Sequence, residues 1–437
     1  MVESTSGNAL YVDDLLNGGK RFVISDRFDS DLKVIDNIES VLYVLTNREA
    51  PNWKLIAIDL EGPNEGEKVI LEEQAHVLSS VSLIGDRIFA QYLEDAKSIL
   101  RTYDFSGIHK GEVQLPMMGT VEHISGKKGD REAFFSLTNF TSPTTVFSLD
   151  AETLEISEFK RPTIDFQVDD YVTKQVFYIS KDGTKIPMFI THQKGLAMDG
   201  TNPTILYGYG GFDISLTPSF KPANLVLLEN KGIYAVANLR GGGEYGRAWH
   251  DAGTKEQKQN VFDDFIAAAN FLIDSGYTSS EKLAIMGGSN GGLLVGACMT
   301  QAPQLFKVAI PRVGVLDMLR YHEFTIGWAW ANDYGRSDDP EAFEYLIKYS
   351  PLHNLRETEY PATLIMTADH DDRVVPAHSF KFAAELQSKQ QGANPVLIRI
   401  DASAGHGAGK PTEKLIEENA DMFGFLFYNM GVDFISH

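Results

Sequence analysis

The chain has 437 residues, of which 43% are apolar and 23% charged, the composition of a folded protein with a substantial core. This length exceeds that of one ordinary domain, so two or three domains are expected. The 60 acidic and 39 basic residues give a net charge of −21, which repels phosphate backbones and argues against a nucleic-acid partner. Because no run of about 18 apolar residues occurs, no membrane span is predicted.

Cysteine usage and the N-terminus narrow the class of protein further. The single cysteine, Cys298, excludes an internal disulfide and a cysteine-based zinc site. Residues 1–8 contain no basic stretch followed by an apolar one, so this chain is predicted to carry no export signal. A cytoplasmic monomer is expected, with the periplasm as the alternative if a longer parent chain carries a signal.

Residues 1–165 read as short strands separated by turns, and the pattern repeats. Asp13, Asp59, Asp104 and Asp150 each end an alternating apolar run and open a turn, at intervals of 46, 45 and 46 residues. Several strands in a period in the mid-forties are the signature of β-propeller blades. We therefore predict a partial propeller of about three blades with the tail of a fourth. The alternative is an irregular β-sandwich in which the aspartates recur by chance.

From residue 166 to 437 apolar strands alternate with helical patterns, which predicts a doubly wound, mainly parallel sheet of the α/β-hydrolase type. A hairpin is expected around Lys181-Asp182-Gly183. The predicted strands are 172–179, 186–191, 203–208, 232–238, 283–286, 308–310, 362–367 and 395–400, and the predicted helices are 263–272, 293–299, 379–386 and 412–429. Chemistry in such sheets collects at the carboxyl ends of the strands.

One strand-to-helix junction has the pattern of a catalytic turn. Gly287-Gly288-Ser289-Asn290-Gly291 fits G-x-S-x-G, in which a strained turn presents a serine hydroxyl above the end of a sheet. The glycines are needed because a Cβ there would meet the neighbouring strand or helix. Backbone N–H groups at the start of the new helix would point at an oxyanion. A merely flexible glycine turn is the alternative.

A serine nucleophile needs a base, and the base needs an acid that fixes its tautomer. His406 follows the last predicted strand in a loop of small residues, from which an imidazole can reach outward. Asp369, Asp371 and Asp372 follow the strand 362–367, in the chain order Ser, Asp, His of α/β-hydrolases. The spacing alone does not choose among the three aspartates.

Two other motifs point to no cofactor. Residues 241–246, Gly-Gly-Gly-Glu-Tyr-Gly, satisfy G-x-G-x-x-G, but no helix is expected to begin at Gly246, so close backbone packing is favoured over a dinucleotide site. His250, His322, His370 and His378 show no metal-ligand spacing on a shared face. Neither a metal nor another cofactor is expected.

The motifs together resemble the catalytic domain of the prolyl oligopeptidase family from about residue 166 to 431. Six stretches carry the resemblance: the Ser289 turn (287–291), 207–212 (Tyr-Gly-Tyr-Gly-Gly-Phe), 238–246, 349–354, 369–376 (Asp-His-Asp-Asp-Arg-Val-Val-Pro) and 405–410 (Gly-His-Gly-Ala-Gly-Lys). The resemblance implies a serine peptidase that cuts short peptides on the carboxyl side of proline. It also implies a seven-bladed propeller that begins earlier in the chain, so this chain is expected to lack the N-terminal part.

The resemblance assigns a role to individual positions. Ser289 is the nucleophile, Asp371 the acid and His406 the base, while the N–H of Asn290 and the hydroxyl of Tyr209 hold the oxyanion. The expected proline pocket consists of Phe212, Val315, Trp330, Tyr334 and Val374. Arg373 resembles the residue that bonds a substrate carbonyl, with an ion pair to Asp371 or Asp372 as the alternative.

Three other functions remain open from the sequence. The triad also suits a related serine oligopeptidase, of the oligopeptidase B or acylaminoacyl type, or an esterase. A basic specificity would require acidic residues in the pocket, whereas the expected pocket is aromatic and suits proline. The third alternative is an inactive fragment that acts only as a binding module.

Overall fold

The computed structural model describes residues 6–15, 18–61, 66–407 and 409–435. The chain divides into two compact units. The first comprises Met1–Phe166, Thr217–Phe220 and Glu244–Ala248, and the second comprises Gln167–Leu216, Lys221–Gly243 and Trp249–His437. None of the helices in the described ranges combines the length and apolarity that a bilayer crossing requires.

Antiparallel sheets make up the first unit. Its strands are β1 (Leu10–Asp14), β2 (Lys20–Ser25), β3 (Leu32–Ile38), β4 (Val41–Thr46), β5 (Lys54–Asp59), β6 (Glu67–Leu71), β7 (Val77–Ile84), β8 (Arg87–Glu94), β9 (Lys97–Tyr103), β10 (His109–Val113), β11 (Thr120–Ser125), β12 (Glu132–Thr138), β13 (Thr145–Asp150) and β14 (Ile156–Lys160). Strands β3 to β6, β7 to β10 and β11 to β14 each form a four-stranded sheet, and β1 pairs with β2. The prediction of propeller blades is confirmed.

The recurring aspartates form the turns between strands in three of the four cases. The Oδ1 atom of Asp59 accepts the N–H of Glu61, and Oδ1 of Asp104 accepts that of Ser106. Asp150 does the same for two following N–H groups. Asp13 differs, because it lies inside β1 and pairs across the ladder with Arg21 at 2.7 Å. The repeat in the sequence is therefore a repeat of turn chemistry, but Asp13 does not share it.

An eight-stranded sheet forms the centre of the second unit. Its strands are β15 (Tyr171–Ile179), β16 (Lys185–Gln193), β17 (Thr204–Tyr207), β18 (Ile233–Ala237), β19 (Leu283–Gly288), β20 (Val308–Arg312), β21 (Ala362–Ala368) and β22 (Val396–Asp401). Their order is β15-β16-β18-β17-β19-β20-β21-β22. Strands β15, β16 and β18 pair antiparallel, and the rest of the sheet from β18 to β22 is parallel. The prediction of a mainly parallel α/β sheet is confirmed.

The helices described in this unit and at its boundary are α1 (Pro222–Glu229), α2 (Arg247–Asp251), α3 (Gln259–Asp274), α4 (Asn290–Gln301), α5 (Ala331–Tyr334), α6 (Pro340–Tyr349), α7 (Ala377–Lys389) and α8 (Thr412–Met430). Helix α3 buries Val261, Phe262, Phe265 and Leu272 completely, as expected from their helical spacing. The second unit contains an extended core cluster, to which Cys298 also belongs.

Helix α2 contradicts the expectation that no helix begins after Gly246. This helix has only five residues, too few to be stable by propensity alone, so tertiary contacts must hold it. The indole Nε1 of Trp249 donates to the carbonyl of Leu239 at 2.9 Å. Gly241 is in close backbone contact with residue 210, because a Cβ at this position would lie 2.8 Å from the Gly210 carbonyl oxygen. The glycines of this loop therefore serve close backbone packing.

A buried ion pair fastens the hairpin and α3 to the loop after β18. The Arg240 guanidinium contacts Asp264 through Nε at 2.9 Å and through Nη2 at 2.6 Å, and Asp182 through Nη1 at 2.5 Å. Ser180 adds a hydroxyl bond to Asp264 at 2.5 Å. The Asp264 side chain is fully buried, so removing one partner would leave an uncompensated charge in the core.

We predict that Asp264→Ala lowers the free energy of unfolding by about 3–5 kcal/mol, the cost of breaking a buried ion pair. Asp263→Ala is the matched control, because Asp263 faces the exposed Lys181 at 3.4 Å and its loss should cost less than about 1 kcal/mol. Urea unfolding followed by tryptophan fluorescence measures both. Equal losses in the two variants would contradict the importance of the buried pair.

Candidate active site

Ser289 stands at a strained turn between β19 and α4. Its backbone angles are φ 60° and ψ −117°, a region that residues with a Cβ rarely adopt. A Cβ at Gly287 would lie 2.4 Å from the Gly291 carbonyl oxygen, and one at Gly291 would lie 2.7 Å from that of Gly208. Both positions of the G-x-S-x-G pattern therefore have to be glycine, as the sequence predicts.

Asp371 and His406 meet at the carboxyl ends of β21 and β22. The Nδ1 atom of His406 lies 2.7 Å from Oδ2 of Asp371. The other carboxylate oxygen, Oδ1, accepts the N–H groups of Arg373 at 3.0 Å and Val374 at 2.9 Å. The Asp371 side chain is fully buried and oriented by three contacts, so it can hold the imidazole in one tautomer.

The other two aspartates of this turn lie elsewhere. Oδ1 of Asp369 contacts Nδ1 of His370 and accepts the N–H of Ser403, both at 2.7 Å. Asp372 is exposed. Within the described part of the chain Arg373 forms no ion pair inside 4.0 Å, so the geometry does not favour the ion-pair alternative for its guanidinium.

Ser289 and His406 line the same cavity of about 270 Å³. Their side chains make no hydrogen bond in the described structure, a looseness that is common between catalytic groups without substrate. The Tyr209 side chain lies beside Ser289, and both residues line a common cavity. Burial raises the pKa of Tyr209 to about 12, so its phenol keeps its proton and can donate at neutral pH.

The Asn290 side chain joins the two expected oxyanion donors. Its Nδ2 donates to the backbone carbonyl of Tyr209 at 2.5 Å, while its Oδ1 accepts the Tyr334 hydroxyl at 2.7 Å. Asn290 is also the first residue of α4, where backbone N–H groups have no partner inside the helix. The N–H of Asn290 and the hydroxyl of Tyr209 therefore belong to one fixed arrangement beside Ser289.

Lys258 belongs to this arrangement too, and sequence reasoning missed it. Its Nζ donates to the Gly210 carbonyl at 2.7 Å and to Oδ1 of Asn290 at 3.2 Å. The side chain is 1% exposed. A signal was present, because position 258 precedes the buried Val261 and Phe262 by three and four residues and so lies on the buried face of α3.

Ser289 also lines a second cavity, of about 290 Å³, whose walls include four aromatic side chains. The lining residues are Tyr209, Phe212, Ile214, Ser289, Val315, Ile326, Trp330, Tyr334 and Arg373. The Phe212 ring stands edge-on to those of Tyr334 and Trp330, with centroids 5.4 and 6.5 Å away. Ile214 and Ile326 were not predicted to line it.

Two details define how this cavity is built. Phe212 has a strained φ of 58°, and its N–H donates to the buried carboxylate of Asp333 at 2.9 Å. Val374 does not line the cavity. Its side chain is 2% exposed and belongs to the core cluster, and its backbone N–H donates to Asp371.

Comparison with known proteins gives one consistent result. The family model described as prolyl oligopeptidase family matches residues 218–433, and the one for the N-terminal β-propeller domain of prolyl oligopeptidase matches residues 1–162. A prolyl endopeptidase of Elizabethkingia miricola is 50% identical over 432 residues, which cover 98% of this chain and 61% of that protein. A prolyl endopeptidase of Dictyostelium discoideum is 46% identical over 419 residues, which cover 92% of this chain and 55% of that protein.

Solved structures agree with the sequence comparison. A chain from a study of two prolyl endopeptidases superposes with a TM-score of 0.94 at 41% identity, covering 98% of this chain and 64% of that one. The fold combines a sheet of the α/β-hydrolase type with preceding propeller blades, which defines the class of propeller-bearing α/β-hydrolases. The chain belongs to the prolyl oligopeptidase family. It spans about 60% of the length of the first two relatives that it matches.

The buried ammonium of Lys258 generates a prediction about stability and pH. Burial lowers its pKa from 10.5 to about 8, while the Asp333 carboxylate opposes this shift. Between about pH 8 and 10.5 the unfolded chain therefore binds more protons at Lys258 than the folded chain, so this group adds stability as the pH rises. The free energy of unfolding of the wild type should increase relative to Lys258→Met over that window.

Urea unfolding of both proteins at pH 7, 8, 9 and 10 measures this difference. Lys348→Met, which removes an exposed lysine of α6, controls for the loss of one positive charge. If the difference in free energy of unfolding between the wild type and Lys258→Met stays constant from pH 7 to 10, the lowered pKa of Lys258 in the folded protein is contradicted.

Proposed function

We propose that this protein is a serine peptidase of the prolyl oligopeptidase type, which cuts short peptides on the carboxyl side of proline. One observation carries the proposal. Ser289, at its strained turn, lines the aromatic cavity, and the same serine lines another cavity together with His406, whose Nδ1 contacts Asp371. A peptide bond held at Ser289 then has a proline site on one side and a base on the other.

The reaction follows from these positions. His406 takes the proton of Ser289 Oγ through Nε2, while Asp371 holds the Nδ1–H and stabilises the imidazolium. The serine oxygen bonds to the carbonyl carbon, whose oxygen becomes negative between the N–H of Asn290 and the hydroxyl of Tyr209. His406 then gives its proton to the leaving nitrogen as the C–N bond breaks. Water, activated by the same imidazole, releases the acid from the acyl-enzyme.

The aromatic cavity gives a physical reason for proline. The pyrrolidine ring is apolar and rigid and has no N–H, so it loses little entropy and leaves no donor unsatisfied between ring faces. Arg373 at the rim, with no carboxylate partner among the described residues, is available to a substrate carbonyl. The lining of this cavity includes no carboxylate to pair with a basic side chain, which disfavours an oligopeptidase B-like specificity. We also propose a monomer, because the second unit of a single chain contributes every residue of the site.

Two substrates of equal size test the proposal. The p-nitroanilide of benzyloxycarbonyl-Gly-Pro should be hydrolysed at least about a hundred times faster, in kcat/KM, than the corresponding Gly-Arg compound, since the cavity buries an apolar ring but offers a cation no partner. A fluorophosphonate should label the protein, and Ser289→Ala should abolish both labelling and hydrolysis. Labelling with preferred cleavage after arginine would overturn the specificity, and no labelling of folded protein would favour an inactive binding module.

The Tyr209 hydroxyl provides a second prediction. Tyr209→Phe should lower kcat by about 100-fold or more with little change in KM, because an oxyanion donor acts only as charge develops and its loss costs about 3 kcal/mol. Tyr428→Phe, at a tyrosine that is 85% exposed on α8, is the matched control and should retain full activity. A loss that appears in KM instead of kcat would assign the hydroxyl to ground-state binding.

A further inference from the structure

The cavity that Ser289 and His406 line also contains positively charged side chains that have no role in the proposed reaction. Its remaining lining residues are Tyr207, Lys221, Ala223, Asn224, Tyr234, Met286, Gly288, Arg312, Val313, Asn419 and Met422. Two of these are cations, and no carboxylate is among them. In a chain whose net charge is −21, a cavity lined by two cations is a local exception.

The two cations are paired differently. Arg312 is bound by the buried carboxylate of Glu418, which also accepts Lys410 at 2.7 Å. No carboxylate of the described chain lies within 4.0 Å of the Nζ of Lys221, and burial lowers the pKa of this ammonium although the residue as a whole is exposed. This ammonium instead lies 5.0 Å from the centroid of the Tyr207 ring. Lys221 is therefore the positive charge that is available to a ligand.

Asn224 supplies an independent sign that a polar ligand belongs here. It is 6% exposed, and its side-chain nitrogen makes no hydrogen bond of good geometry within the described structure, although it interacts with the nearby Tyr234 hydroxyl. A buried donor that lacks a well-aligned acceptor is unfavourable, so an acceptor group from a ligand would stabilise it.

The position of His406 defines which part of a substrate reaches this cavity. His406 lines this cavity and does not line the aromatic one. Under the proposed function, on which this inference rests, the imidazolium must give its proton to the leaving nitrogen. The leaving fragment therefore extends to the His406 side, while the proline ring occupies the aromatic side.

We propose that this cavity binds a carboxylate of the leaving fragment, with Lys221 as the charged contact and Asn224 as a hydrogen-bond donor. A volume of about 270 Å³ limits the fragment to one or two residues. The carboxylate is either the free C-terminus of a peptide that ends shortly after proline or an acidic side chain in the first position after it. The protein thus favours the removal of short, negatively charged C-terminal fragments.

Matched peptides test this inference separately from the proposed function. The substrates are benzyloxycarbonyl-Gly-Pro-Ala with a free carboxylate, its carboxamide, and the carboxamide in which Asp replaces Ala. The Gly-Pro p-nitroanilide, whose leaving group carries no charge, reports whether the enzyme cleaves after proline at all. If the anilide is not hydrolysed, the proposed function fails. If the anilide is hydrolysed but the carboxylate gives no advantage, only this inference fails.

We expect kcat/KM for the carboxylate peptide to exceed that for its carboxamide by about tenfold, as for one charge-assisted contact in a partly exposed site. The ratio within each variant cancels effects on folding and on Ser289. It should fall to about one in Lys221→Met and persist in Lys221→Arg. Lys174→Met, which removes an exposed lysine on β15, is the charge-matched control and should retain the wild-type ratio.

A preference for the free carboxylate alone identifies the C-terminus as the ligand, and an equal preference for the Asp carboxamide identifies the acidic side chain. Raising the salt from 50 to 500 mM should reduce the preference, since salt screens the attraction between two opposite charges. A ratio near one in the wild type, or a ratio unchanged in Lys221→Met, overturns the assignment.

Discussion

The backbone of Ser289 is the constraint on which the rest of the site depends. A residue with a Cβ at φ 60° and ψ −117° costs roughly 1–3 kcal/mol, and it persists only where its surroundings leave no alternative. Here β19 is held between β17 and β20, the Ser289 N–H donates to the Arg312 carbonyl at 2.9 Å, and α4 packs in the core on the far side. The close approach of Gly208, Gly287 and Gly291 lets the strand turn sharply enough to expose the hydroxyl.

A second constraint follows from the first, because the strained turn also places the Asn290 side chain. Its amide contacts the Tyr209 backbone, the Tyr334 hydroxyl and the Lys258 ammonium. One side chain thereby connects the donor beside Ser289 with the wall of the aromatic cavity. The burial of Lys258 is expensive, as its lowered pKa indicates, and the contacts with two oxygens offset part of that cost. A displacement of the Asn290 side chain would therefore disturb both the proposed oxyanion donors and the wall of the aromatic cavity.

The sequence predicts the fold and most of the candidate site, and the omissions have physical causes. The turn at Ser289 is recognisable in the sequence because close backbone contacts require glycine at positions 287 and 291. Spacing could not choose among Asp369, Asp371 and Asp372. The choice depends on which carboxylate the His406 loop approaches, and that contact joins two loops that follow different strands. Lys258 was missed since lysine is nearly always exposed, although its helical phase placed it inside. The resemblance named Val374, but this residue is buried in the core cluster and does not line the cavity.

The two sides of Ser289 differ in the physics of binding, and the difference suits the proposed reaction. The aromatic cavity retains a ring by burial of apolar area, which salt does not screen and which persists while the acyl group stays attached. The cavity that includes His406 presents the Lys221 ammonium, whose proposed attraction for a carboxylate is electrostatic and is screened by salt. Because the leaving fragment must depart before water can enter, a weak and rapidly reversible contact on that side does not delay deacylation. Under the proposed function, the shape of the aromatic cavity therefore selects the residue that stays in the acyl-enzyme, and the charge of Lys221 selects the fragment that leaves.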